Sequence, residues 1–281
     1  MYKPMHGWLF LAPALIFILV FSIIPSFIAF GLSFTEYNVF TPVKWVGLQN
    51  YREVLQDQEF WKTLKNTLTY WLMTTPFLAT LPVFVAVLVN RRLPGINAYR
   101  LIYYFPVLVS VTVTAIIWGW MFQRDGIMNY FLSLFGVAPV RWLTRRNTVM
   151  PSLAIVTIWQ GLGYYMLFYL AGLQNIDTSL YEAADLDGAN GWQKIIYVTF
   201  PLLRPIVFFV AVVSTMAALK EFTLMMNMTG GGPLGASKTV VFLVFETAFE
   251  YLEMGYASAI SFLLFAVIMA LTLINKRALD R

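Results

Sequence analysis

The stretch LYEAADLDGANGWQKIIYVTFPLLRP, Leu180 to Pro205, is a polar, punctuated interruption between two long apolar runs. Ser179 precedes it and Glu182 stands three residues on, which is capping-box spacing. The hydroxyl can accept the Glu182 amide, and the carboxylate can reach back to the Ser179 amide. That spacing predicts a short helix with Leu180, Ala183, Ala184 and Asp187 on one face, where small side chains let another backbone approach. Gly188 is the expected stop. Asn190, with Gln193 three residues on, predicts a second start, and Trp192, Ile195, Ile196 and Thr199 follow at helical spacing. The expected product is a helix–turn–helix elbow at a membrane surface.

What surrounds the elbow is too apolar for an ordinary soluble domain. Over 281 residues, 59% are hydrophobic, 17% aromatic and only 12% charged, which reads as an all-α integral membrane protein. The formal charge of +5 is spread among the loops and suggests no nucleic-acid partner. Without cysteine, disulfide and thiol chemistry are excluded. His6 is the single histidine, with no second His or Cys to complete a metal set, so neither a metal site nor a catalytic residue is expected.

Six runs are expected to span the membrane, at about 8–34, 67–89, 101–122, 149–173, 205–228 and 255–274. Each is long enough for a hydrocarbon core of ~30 Å at ~1.5 Å rise per residue. The first exceeds a signal-peptide apolar region and lacks an A-x-A cleavage site, so it reads as retained, with Pro13 and Pro25 as kinks. Residues 35–65 read as an extramembrane loop with one short amphipathic helix, and Arg124 to Thr148 as a second polar connection. Trp118 and Trp120 are expected anchors at the end of the third run. Pro205 suits the first turn of the fifth, and Thr229-Gly230-Gly231-Gly232-Pro233 ends it. Lys238 to Tyr251 is too short to span and reads as a re-entrant or interfacial helix. The whole of 1–281 reads as one transmembrane domain, with the elbow in the 174–204 loop.

Glu182-Ala183-Ala184, Asp187-Gly188-Ala189, Pro201 and Pro205 together resemble the EAA loop of binding-protein-dependent ABC importer permeases. The glycine run, Phe249, Gly255-Tyr256-Ala257-Ser258-Ala259-Ile260, Leu11-Ala12-Pro13 and Trp45-Val46-Gly47-Leu48-Gln49-Asn50-Tyr51 are similar to carbohydrate permeases of the maltose type, the MalF-like half in particular. The resemblance implies that Glu182, Ala183, Ala184, Asp187, Gly188 and Ala189 form a cytoplasmic coupling helix that docks on an ATPase. It implies a second, homologous but different permease chain, two ATP-binding subunits that hold ATP and Mg, and an extracytoplasmic solute-binding protein. This chain itself would bind no cofactor and catalyse nothing. It would sit multi-pass in the lipid of a bacterial or archaeal inner membrane, with both termini cytoplasmic. The bland alternative is an interfacial helix pair packed on its own bundle.

Substrate-path candidates follow from cost. Ionisable groups within spans are expensive and usually face a bundle interior, which singles out Lys220 and Glu221. Lys220 is expected roughly 22 Å into the fifth span, in the outer third, where snorkelling is the competing account. Both charges depart from what a neutral-sugar path suggests and leave open an anionic or amino-substituted substrate. Gln160, Tyr164 and Tyr165 offer hydrogen bonds and aromatic faces, and Asn227 joins them from the fifth run. Gly161 and Gly163 between them read as helix-packing glycines. Gly230 and Gly235 have the outer spacing of a phosphate-binding loop, but Ala236-Ser237 stands where Lys and then Ser or Thr would be required. Lys and Arg divide almost evenly between alternate loops, so charge bias leaves the orientation open. The alternative from another class is an ion- or proton-coupled secondary transporter or channel relaying through Lys220, Glu221 and Glu246.

Overall fold

The computed structural model describes residues 4–91 and 94–279. They fall into two compact units: one runs to Lys62 and takes in Leu243–Ala266, and the other is Thr63–Phe242 with the residues from Val267 on.

In the first unit, α1 (Pro4–Ile18) passes through a π-helical turn at Leu19–Ile23 into α2 (Ile24–Leu32). The turn directly precedes Pro25, so the register shift falls where the ring disrupts the helical ladder. The result is one candidate span, Phe10–Leu32, none of it buried. A two-stranded ribbon follows, β1 (Thr35–Glu36) antiparallel to β2 (Lys44–Trp45), with Glu36 opposite Lys44. The short helix expected in this loop is α3 (Gln49–Gln56), held by Asn50, whose Nδ2 donates to the Ser33 and Thr35 carbonyls at 2.9 Å each.

The next helix, α4 (Gln58–Val89), starts well before residue 67. Asp57 Oδ1 accepts the Glu59 N–H at 2.8 Å and nucleates it early. In the second unit this helix is the organising element. Asn66 Nδ2 donates to the Gly235 and Lys238 carbonyls, Thr67 Oγ1 accepts the Val240 N–H, and Trp71 Nε1 donates to Thr215 Oγ1.

The expected third span is two helices. α5 (Ile96–Leu108) and α6 (Val111–Met121) meet at 97°, because Ser110 adopts extended backbone and its hydroxyl accepts the Val113 N–H, starting a new helix. After α7 (Ile127–Leu134), α8 (Arg146–Gln174) is long, apolar and unbroken. The elbow contains α9 (Thr178–Leu186) and α10 (Gly191–Lys194), the latter continuing through a π turn at Ile195–Thr199 into α11 (Phe200–Leu202).

The fifth run is also divided. α12 (Arg204–Leu219), with Pro205 in its first turn as expected, meets the elbow helix at 71° and stops at Lys220; α13 (Thr223–Thr229) begins afresh. The reading of 205–228 as one span fails here because the Glu221 carboxylate accepts the Leu224 N–H at 2.9 Å, capping a second helix inside the run. Gly230, at φ +52°, closes α13 in the left-handed region and fulfils the break expected of the glycine run.

The chain then forms α14 (Val240–Phe245), a π turn at Glu246–Glu250 and α15 (Met254–Leu279). Four helices are thus long and apolar enough to cross a membrane, or six if each bent pair counts as one span. Arg92, one of the residues weighed for orientation, and the side chain of His6 lie outside the described residues.

Because lipid tails are as apolar as leucine, close packing rather than water exclusion holds such helices together. In the second unit α8 packs on α5 and on α12, and α6 packs on α13. Tyr165, Met166, Tyr169 and Leu170 of α8 are buried against Leu78, Val83, Leu203 and Val210, and the Tyr169 hydroxyl donates to the Ala79 carbonyl at 2.6 Å.

Candidate functional site

The elbow is capped at every turn. Asp177, not Ser179, starts α9: its backbone is extended and its Oδ1 accepts the Ser179 N–H at 3.0 Å. Ser179 is already inside the helix, so the expected Ser179–Glu182 capping box does not form; an equally good cap two residues upstream takes the role. The Ser179 amide and hydroxyl hold the Asp177 carboxyl below the usual aspartate range.

At the other end Gly188, φ +75°, closes the helix as expected. Ala189 N–H donates to the Ala184 carbonyl and Gly188 N–H to that of Asp185, the paired bonds of a left-handed cap. Asn190 and Gln193 then form the expected capping box, with reciprocal bonds of 2.7 and 3.0 Å. Lys194 Nζ to Asp185 Oδ1 at 2.6 Å, and Tyr181 to Thr199 at 2.9 Å, lock the two limbs together.

Despite this bracing, α9 buries none of its residues, and Leu186 is 91% exposed. Glu182, Ala183, Asp187 and Gly188 are exposed, and Ala184 and Ala189 partly so. The helix does not pack on its own bundle.

A second feature is a cavity of about 240 Å³ at the two helix breaks of the second unit. Val107 and Val111 line it from either side of the α5–α6 break, and Glu221 and Leu224 from the α12–α13 break. Breaks of this kind expose backbone polar groups that must be satisfied internally in a membrane. Gln160 does so for one of them, its Nε2 donating to the Val109 carbonyl at 2.9 Å and to Thr114 Oγ1 at 3.3 Å. The Glu221 carboxylate does so for the other, while Thr239 Oγ1 donates to the Glu221 carbonyl at 2.9 Å.

Of the sequence-derived candidates, Gln160, Tyr164, Tyr165 and Glu221 all line this cavity. Tyr164 and Tyr165 meet edge to face at 5.1 Å. Lys220 and Asn227 do not line it. Lys220 sits exposed at the C-terminal end of α12, a favourable place for a cation, and Asn227 Nδ2 donates to the Thr223 carbonyl at 2.8 Å. The cavity adds residues the sequence reading missed: Tyr70 and Thr157, hydrogen-bonded to each other, and Ser214. Hydroxyls recurring inside apolar runs were the available signal for them.

A many-helix membrane protein with a rigid, unburied elbow and a polar cavity at paired helix breaks belongs to the transport class. Residues 55–281 match the family described as the binding-protein-dependent transport system inner membrane component, and the chain belongs to that family. It is 37% identical over 95% of its length, and 88% of the other chain, to the probable ABC transporter permease protein YesP of Bacillus subtilis. It is 34% identical over 95% of its length, and 91% of the other chain, to the trehalose/maltose transport system permease protein MalF of Thermococcus litoralis. Its fold matches a crystal structure of a bacterial ABC transporter involved in the import of alginate, with a TM-score of 0.84 at 24% identity over 98% of this chain and 96% of that one. The chain is therefore a multi-pass inner-membrane permease subunit of an ABC transporter and not an enzyme, since ATP hydrolysis in this family resides in partner subunits.

Proposed function

We propose that the chain forms half of the membrane path of an ATP-driven carbohydrate importer and couples it to cytoplasmic ATPases through Glu182, Ala183, Ala184, Asp187, Gly188 and Ala189. The observation that carries the reading is α9, a helix fixed at both ends by caps and yet buried nowhere. A surface helix with no packed face gains nothing from such bracing unless a partner uses it, and a rigid lever transmits force between subunits where a frayed one dissipates it. The carbohydrate assignment is supported by the trehalose/maltose relative and by the aromatic and hydroxyl lining of the cavity.

The complete assembly pairs this chain with a homologous, different permease, two ATP-binding subunits that hold ATP and Mg, and an extracytoplasmic solute-binding protein. ATP-driven closure of the ATPases moves the elbow, and α12, continuous with it through a 71° bend, carries that motion to the cavity. Gln160, Tyr164 and Glu221 lie on the substrate path, with Lys220 and Asn227 beside it. Both termini lie in the cytoplasm, on the side of the elbow.

The test is ATP-driven uptake in vesicles containing the full transporter. Gly188→Pro forces a negative φ on a residue at +75°, and Glu182→Lys reverses an exposed charge on the docking face. Both variants are expected to insert normally and to lose uptake and copurifying ATPase; wild-type uptake by either would refute the coupling role.

A further inference from the structure

Beside the elbow lies a cavity of about 530 Å³ that coupling and the substrate path leave unused. We propose that it binds the headgroup of an anionic phospholipid. Val87, Asn90 and Arg91 line it from the last turn of α4 and the residues just beyond, Leu173 from the last turn of α8, and Trp192 and Lys194 from the elbow. The ends of two apolar helices place it where hydrocarbon gives way to headgroups. Its volume falls within the roughly 300–1,000 Å³ of small-molecule sites.

The electrostatics select the sign. No carboxylate lines the cavity. Lys194 is already paired with Asp185 at 2.6 Å, whereas Arg91 is exposed and forms no ion pair among the described residues. One cationic fork is therefore left for an anion, and a guanidinium matches phosphate oxygens two at a time. Arg100 fixes the backbone that presents it, donating Nε and Nη2 to the Val89 carbonyl at 3.2 and 2.9 Å.

The surroundings favour a lipid over a free anion. Trp192 is 65% exposed although its ring also meets Phe84 edge-on, and the next turn of the elbow exposes Ile196 and Tyr197. An amphipathic ring at the mouth, followed by exposed apolar surface, suits a glycerol backbone and the start of an acyl chain. Lipid held between Arg91 and Trp192 bridges α4 to the elbow. The leaflet, but not the site, rests on the orientation proposed above, and lipid retention is measured without ATPases, so either reading can fail alone.

The test uses the full chain in nanodiscs of equal parts phosphatidylglycerol and phosphatidylcholine, with retained lipids counted by native mass spectrometry after release. Wild type is expected to retain phosphatidylglycerol several-fold over phosphatidylcholine, and Arg91→Gln to lose that preference. Arg91→Lys, which keeps the charge, and Arg145→Gln, an exposed arginine outside the cavity, should both retain it. Equal retention of the two lipids by wild type, an unchanged preference in Arg91→Gln, or saturation by inorganic phosphate without lipid preference would overturn the proposal. So would the loss of copurifying ATPase from Arg91→Gln with lipid retention unaltered, which would assign the cavity to a protein partner.

Discussion

At Gly163 a side chain would overlap the Tyr103 carbonyl, so α8 and α5 meet there backbone to backbone. This is the close approach that small residues permit between membrane helices. Gly163→Ala forces the two apart and should cost about 1–3 kcal/mol, the usual penalty of overpacking. Gly119, where an added methyl meets nothing within 4 Å, is the matched control. Thermal unfolding of both variants in one detergent checks this: a lowered midpoint for Gly163→Ala and none for Gly119→Ala is expected, and equal midpoints would show that the contact does not limit stability. The packing role of Gly163 was readable because a glycine inside an apolar helix has few other uses. Gln160 was harder: its type marked it as a polar group in a span, but its partner, the Val109 carbonyl, lies 51 residues away and no local pattern points to it.

Elements divide by whether their ends are set locally. Both starts of the elbow and the Gly188 stop involve bonds between residues two to five positions apart, so their existence was legible. Only the choice between Asp177 and Ser179 as first cap went wrong, since both are good acceptors and the Ser179–Glu182 spacing favoured the later one. The breaks at Ser110 and Glu221 were missed because the flanking apolar runs continue through them, and each break is stabilised partly from a distant helix or loop, by Gln160 and Thr239. The assigned cap yields a prediction. Asp177→Ala should speed amide exchange several-fold at Ser179 and the residues after it while sparing Gln193, which has its own cap. The same loss should follow acidification of the wild type. Because folding lowers the pKa of Asp177, its contribution is complete above the ordinary aspartate value, roughly 3.9, and disappears as the pH falls through the lower folded value. Exchange profiles that distinguish neither Asp177→Ala nor acid from neutral wild type would return the cap to Ser179.

The molecule as a whole carries an ambiguous charge code. Arg124, Arg141, Arg145 and Arg146 precede α8, while Arg91, Arg100, Lys194 and Arg204 lie by the elbow, so positive charge alone chooses neither side. Geometry separates the two groups nonetheless. α8 is a single helix of 29 residues, about 43 Å long at ~1.5 Å per residue, which exceeds a hydrocarbon core of ~30 Å. Whatever precedes Arg146 therefore emerges on the face opposite to whatever follows Gln174. If the elbow meets cytoplasmic ATPases, Leu186 faces the cytoplasm and Phe135, 83% exposed before α8, faces outward. The absence of native cysteine makes single-cysteine labelling unambiguous. A membrane-impermeant maleimide should label Leu186→Cys in inside-out vesicles and Phe135→Cys in right-side-out ones. The reverse pattern would keep α8 as a span but invert the chain and remove the elbow from the ATPases; labelling of both from one side would show that α8 does not cross at all.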